Sequence, residues 1–316
     1  MTIGPVLVVG EALVDIVQHA NGDSVEAPGG SPLNVAVTLA RLGVETTLLT
    51  ALANDRRTDR IVEHLAGSGV TLVDGARRLS RTPTATALVQ ADGSADYEFD
   101  LAWDPTPHAG PPARIVHAGS LALFLPPGEA LVRQRLEERS GTAMISLDPN
   151  IRPTMLPDLR IVRRRFEQLL PLANVVKLSD EDLAWLYPEL AERAAVRRLL
   201  AAGPALVAVT RGAHGCALAS AAAEVRLPSV RTEVVDTIGA GDSFMGGLLW
   251  QLLVSDLTDG LVAGQSLGSR DLAALGAAAA GVAAVTVGRK GADPPWRSEL
   301  EPLGETFVSD PEHLTR

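Results

Sequence analysis

The sequence predicts an α/β protein: a doubly wound, mostly parallel sheet flanked by helices, with a small β-sheet lid set into it. Three observations lead there. Short, continuous apolar runs recur along the chain, as expected of strands buried on both faces. Helical patterns with start and stop signals lie between several of them. Two early segments break that rhythm with the alternation of antiparallel ribbons.

The first run, Pro5–Gly10 (PVLVVG), ends in glycine and reads as a central strand. Leu13–Glu26 follows as antiparallel structure. Ser31–Leu42 (SPLNVAVTLARL) is the first helix, with Ser31 as N-cap, Pro32 at the first helical position and Gly43 as the stop. Thr46–Ala53 is the next strand. Thr84–Trp103 contains TALVQ and ADYEFDL around Asp92-Gly93, a hairpin turn signal. There Tyr97 and Phe99 share one face and Glu98 takes the other. Ile115–Ala118, Ala143–Asp148, Asn174–Leu178 and Ala205–Thr210 continue the strands; Leu131–Arg139, Leu159–Leu170 and Glu192–Ala202 continue the helices. A last short strand is expected to end near Asp236, followed by a glycine turn and a helix from about Asp242. The whole chain, 1–316, is expected to form one domain. Its lid, from about 13–28 and 84–104, would cover the carboxyl ends of the strands, where ligands of such sheets bind.

Composition narrows the function. Apolar residues make up 46% and charged residues 21% of the chain, which excludes wholesale disorder. A formal net charge of −10 argues against a nucleic-acid surface but leaves room for a nucleotide pocket. The single cysteine, Cys216, allows no disulfide within the chain and is expected to pack in a strand. The start MTIGPVLVVG lacks the cationic opening of a secretory signal. The longest uncharged stretches, Ser243–Ser255 and Leu272–Gly288, fall short of the ~20 apolar residues of a membrane helix. A cytoplasmic protein with neither membrane nor nucleic-acid partners is expected, with a frayed polar end at Ser309–Arg316. His64, His108 and His214 read as surface or loop residues, and no HExxH or CxxC occurs. The first strand is followed by GEALVD rather than a G-x-G-x-x-G turn, which argues against a dinucleotide-binding oxidoreductase.

Two segments carry chemistry. In Val234–Leu253 (VVDTIGAGDSFMGGLLWQLL) the turn Gly239-Ala240-Gly241 opens a helix. Glycines let an anion approach the amides, and a helix N-terminus attracts phosphate. Asp242, ionised beside such a cradle, can accept a proton from a hydroxyl that attacks phosphorus; alternatively, it caps a plain turn. In Ala27–Asn34 (APGGSPLN), Gly29-Gly30 again permits close approach before a helix, and the Asn34 amide suits a sugar diol.

GG-x-x-x-N before an apolar helix, together with DT-x-GAGD-x-F in the last third, resembles the paired signatures of the ribokinase-like (PfkB) carbohydrate kinases. The resemblance runs from GEALVDI (Gly10–Ile16) to GRKGADPPW (Gly288–Trp296). SLDPNIR (Ser146–Arg152), VVKLSDEDL (Val175–Leu183) and VTRGAHG (Val209–Gly215) look most like the fructokinase branch. The resemblance implies an ATP-dependent sugar kinase with fructose as the first-choice acceptor and 2-keto-3-deoxygluconate or another sugar or nucleoside as alternatives. A catalytically silent sugar- or nucleotide-binding regulator is the alternative of a different class.

The same resemblance assigns roles. Asp242 would be the base, and the amides of Gly239, Ala240 and Gly241 the anion hole. Asp15, Gly29, Gly30 and Asn34 would bind the sugar, and Arg152 would pair with the phosphoryl group or serve in a structural ion pair. Thr210, Gly212 and Gly215 would line the nucleotide, with Arg211 facing solvent or the triphosphate. ATP implies Mg²⁺, held mostly by phosphate and water. A monovalent cation such as K⁺ would sit near Asp236 and the carbonyls of Ile238, Ala284 and Gly291. Lids of relatives often pair, which implies a homodimer. Three departures stand out: Lys177-Leu178-Ser179-Asp180 replaces N-x-x-E, which sets Lys177 toward phosphate. The apolar Leu121–Pro127 lacks the carboxylate of ribose kinases. Ile238 replaces a threonine.

Overall fold

Apolar runs without polar alternation form the middle of the main sheet, because helices cover both of its faces. In this computed structural model, residues 3–19, 22–89, 95–108, 110–156 and 158–300 are described. The main sheet takes β1 (Ile3–Val9), β4 (Val44–Leu49), β5 (Thr71–Leu72), β8 (Ile115–Gly119), β9 (Met144–Asp148), β10 (Val175–Ser179), β11 (Leu206–Thr210), β12 (Cys216–Ala219) and β13 (Glu224–Leu227). Among the described residues its order is β13-β12-β11-β10-β9-β8-β1-β4-β5, with only the β11–β12 and β12–β13 pairings antiparallel. The lid is a second sheet of β2 (Leu13–His19), β3 (Ser24–Gly29), β6 (Thr84–Val89) and β7 (Ala95–Asp100), ordered β3-β2-β6-β7.

The helices are α1 (Ser31–Arg41), α2 (Arg56–Gly67), α3 (Gly128–Arg139), α4 (Leu159–Leu169), α5 (Asp180–Leu186), α6 (Glu192–Ala201), α7 (Ala240–Val254), α8 (Thr258–Val262), α9 (Ser269–Val287) and α10 (Arg297–Leu300). The period of two along a strand splits the core. Val6 and Val8 of β1 join α1, α2, α7, α8 and α9 on one face. Leu7 and Val9 join α3 to α6 on the other. Strand β1 lies between β4 and β8, so the sheet order reverses beside it and opens a crevice at the strand ends.

The lid is tied down at its base. Glu26 of β3 pairs with Arg57 and Arg60 of α2 at 2.6 and 3.0 Å. Asp55 caps α2 by accepting from the Thr58 N–H and also accepts from the Thr82 N–H, both at 3.0 Å, just before β6. In register, Asp15 stands opposite Ala27 and Ala85, and Ala85 opposite Phe99. One lid face therefore carries Asp15, Val17, Phe99 and Tyr97. The last two rings stack 6.1 Å apart, on a shared face as the alternation predicts.

Several expectations change. Gly30, at φ 106°, is the N-cap of α1; Ser31 is its first helical residue and Pro32 its second. Near Asp236 no strand forms. The Val235 and Asp236 N–H groups both donate to the Val287 carbonyl instead, and that pairing pulls the segment off the sheet. The helix after the glycine turn starts at Ala240, two residues before Asp242. Helix α2 escapes an apolar-pattern search because only Thr58, Ile61 and Leu65 are buried along it. Cys216 lies in β12 and is buried, as expected. The Asp92-Gly93 turn and Ser309–Arg316 lie outside the described residues.

By length and composition α9 would suffice to cross a membrane, yet Leu272, Leu275, Ala279 and Val282 are buried in the core beside α7 and β12. Small residues allow this close packing. A Cβ on Gly246 would lie 2.5 Å from the Thr38 methyl of α1, and one on Gly247 would lie 3.0 Å from Val282 of α9. Gly246→Val should lower the unfolding free energy by about 1–3 kcal/mol, read from the denaturant midpoint. An unchanged midpoint would show that α1 and α7 can part without cost.

Candidate active site

The site forms where α1 and α7 both point their N-termini at the strand ends below the lid. Gly239, at φ 75°, turns the chain into α7; a Cβ there would lie 2.6 Å from Ala292. The first amides of a helix have no acceptor within it. The Ala240 N–H donates to Thr237 O at 3.2 Å within the turn, so the amides of Gly241 and Asp242 are the freer pair. Asp242, in the first turn, is 8% exposed. Ser31 Oγ donates to its Oδ1 at 2.6 Å and Asn34 Nδ2 to its Oδ2 at 2.8 Å. Two residues of α1 thus hold both oxygens of one carboxylate on α7.

The other sequence-predicted residues surround this carboxylate. Asp15 lies on the lid face above, and Gly29 lacks a side chain because a Cβ would lie 2.0 Å from Asp15 Oδ2. A Cβ on Gly30 would meet Glu11 O at 2.7 Å. The Asp15 carboxyl opens to the cleft, but protein on its other sides strips its hydration. That loss, and then the charge of Asp242, push its pKa up to about 6, against the pull of Arg152. Arg152 is itself exposed after β9, where its charge reaches the cleft.

Lys177 reaches the site from below. It is buried, and its Nζ donates to Asp148 Oδ2 at 2.9 Å. On the nucleotide side, Thr210 ends β11 beside Ser179. Gly212 borders open space, whereas a Cβ on Gly215 would lie 2.0 Å from Leu227 O. Arg211 is bound to Glu192, so its guanidinium is paired at the edge of this turn. The Asp236 carboxylate accepts from the Ile238 and Gly291 N–H groups at 3.0 and 2.9 Å. It therefore organises two loops, and each of its oxygens keeps a lone pair free of these bonds. Among the described residues, no group of three or more His, Cys, Asp or Glu side chains is arranged to hold a metal ion.

Sequence inspection missed three residues. Ser31 looked like a helix cap. Asp148 stands in SLDPNIR, where its motif was visible but not its partner. Glu11 is buried below the lid hinge and accepts from the Leu121 and Ala122 N–H groups at 3.4 and 3.0 Å. Burial pushes its pKa up to about 7.

A carboxylate clamped beside an open helix start, under a β lid at the strand ends, defines a small-molecule phosphotransferase of the ribokinase-like fold. The chain belongs to the pfkB family of carbohydrate kinases, whose family model matches residues 5–299. It is 32% identical to a fructokinase of Rhizobium leguminosarum bv. trifolii over 265 residues, covering 80% of this chain and 81% of the relative. Its structure resembles a fructokinase of Xylella fastidiosa with bound ATP (TM-score 0.82, 28% identity), covering 96% of this chain and 98% of the other. It also resembles an aminoimidazole riboside kinase of Salmonella enterica complexed with aminoimidazole riboside and an ATP analogue (TM-score 0.76, 25% identity), covering 96% and 100%.

Glu11 yields a stability test. The unfolded chain ionises this carboxyl near 4.5, whereas the fold keeps it protonated up to about 7. Between those values the folded state binds more protons, so Glu11 makes stability fall as pH rises. Glu11→Gln should gain about 1–3 kcal/mol on the wild type between pH 4.5 and 8, read by denaturation at both ends. A constant difference would show that the fold leaves this carboxyl unperturbed.

Proposed function

We propose that this protein is an ATP-dependent fructokinase, transferring the γ-phosphoryl group of ATP to a hydroxyl of fructose. The observation that carries this is Asp242, held by Ser31 and Asn34 at the first turn of α7. In this reading Asp242 accepts the proton of the attacking hydroxyl. The amides of Gly239, Ala240 and Gly241 receive the phosphoryl oxygens, with Ala240 first giving up Thr237. Asp15, Gly29, Gly30 and Asn34 hold the sugar, and Arg152 and Lys177 offset negative charge. Thr210, Gly212 and Gly215 line the nucleotide. The lid keeps water from the phosphoryl group.

An open helix start and a buried ammonium suit a polyphosphate; the described carboxylates form no cage for a bare divalent ion. Mg²⁺, bound mainly through phosphate oxygens, would neutralise charge on the nucleotide. Asp236 and the carbonyls of Ile238, Ala284 and Gly291 are the donors for K⁺. A homodimer through the lid is supported by Val17, Val25 and Tyr97, exposed on the face that continues from Asp15; Tyr97 is 64% exposed. The cytoplasm, which holds both ATP and free sugar, is the compartment that suits this reading.

Two measurements check the proposal. ADP release should be strongest with fructose in a panel with 2-keto-3-deoxygluconate, ribose, glucose, tagatose and adenosine. Asp242→Asn should lower kcat by roughly 10²–10⁴-fold with the fold intact. A fully active variant would remove Asp242 from the mechanism, and no turnover with any acceptor would favour a silent binding protein. For the lid, sedimentation should show a dimer that Tyr97→Asp dissociates; a wild-type monomer would overturn the pairing.

A further inference from the structure

A line of polar side chains interrupts the apolar core beneath α7. His117 on β8 pairs in register with Ser146 on β9, which pairs with Val175 on β10. The period of two then sets His117, Ser146, Asp148 and Lys177 on one sheet face, the face that α7 covers. All four are buried. A Cβ on Gly241 would lie 3.0 Å from Lys177 Nζ, so the ammonium touches the second residue of the helix, where an anion would bind.

The partners of that ammonium are few. It has three N–H bonds, and Asp148 Oδ2 accepts one at 2.9 Å. Two further carboxylates lie close enough for their charge to act on it, Asp182 and Asp242. Asp182 is committed to the Ile151 and Ser179 N–H groups at 2.8 and 2.9 Å. Asp242 is committed to Ser31 and Asn34. His117 faces the same interior but stays neutral, since burial and then Lys177 push it down to about 3. Its Nδ1 lies 3.0 Å from Ser146 Oγ. Asp148 is thus the one carboxylate bonded to Lys177 among the described residues. Desolvation largely cancels the attraction within a buried pair, so stability alone is a weak reason for it.

We infer that Asp148 is a positioning residue for phosphoryl transfer, fixing the Lys177 ammonium beneath the start of α7 so that its remaining N–H bonds meet the γ-phosphoryl group. This rests on the kinase reading above. The pair supplies a fixed cation that an uncharged anion hole lacks, and Gly241 admits it because no side chain blocks the way.

The test uses the full chain with Asp148→Asn, Lys177→Met and the double variant. ATP and ADP affinities are measured by calorimetry without sugar, and kcat and KM with fructose. Asp148→Asn should lower kcat by about 10–100-fold while KM for fructose stays within about twofold. It should also erase any preference for ATP over ADP. The double variant should be no worse than Lys177→Met alone. An unchanged kcat and nucleotide preference, or losses that multiply in the double variant, would overturn the inference. If Asp148→Asn fails to fold, Asp148→Glu displaces the ammonium while keeping the pair, with the same loss of nucleotide preference expected; a retained preference overturns the idea. If the wild type phosphorylates no sugar, the kinase reading fails, yet the nucleotide affinities still judge Asp148.

Discussion

The clamp of Ser31 and Asn34 on Asp242 joins residues more than two hundred positions apart. It ties the first helix to the seventh, and the rest of the site is arranged around it. Gly30 lets the chain turn into α1 below the lid hinge, which brings Ser31 to the carboxylate. Gly246 lets α7 approach α1 closely enough for the bonds to close. A polar contact this buried adds specificity chiefly because leaving either side unpaired is costly.

The clamp also explains the crowding of charge. Asp15, Asp148, Asp182 and Asp242 converge near Lys177 and Arg152. Burial pushes Asp148 up to about 6 even though Lys177 pulls the other way. Such a set is poorly stabilised in the absence of ligands, and a polyphosphate with its cations would rebalance it. The negative net charge of the chain is therefore no obstacle to an anionic ligand, since a few local donors decide binding.

The lid follows a different logic. Its residues need only be held at one edge, so α2 anchors it through Glu26 and Asp55 while Val17, Val25 and Tyr97 stay exposed. The face that looks onto the cleft and the face available to a second copy are the same face, as the strand register dictates. Substrate enclosure and subunit pairing would then share one surface.

Most of the fold was legible because buried parallel strands leave uninterrupted apolar runs, and α1 carries Pro32 and Gly43 as punctuation. The glycine turns and Asp242 were legible because local chemistry, a helix start and a nearby acid, suffices to mark them. Three things were not. Ser31 satisfies every local rule for a cap, and only the arrival of Asp242 from the far end of the chain reassigns its hydroxyl. Asp148 and Lys177 lie on neighbouring strands, so their pairing depends on sheet order. Val234 and Val235 form a β-prone pair, but the amides of Val235 and Asp236 are taken by the end of α9. By itself the sequence determined the layers, the glycine turns and the acid beside the second of them, since each depends on contacts among near neighbours in the chain. The tertiary structure alone decided which side chains meet, because hydrogen bonds between distant segments are set by packing and register rather than by local pattern.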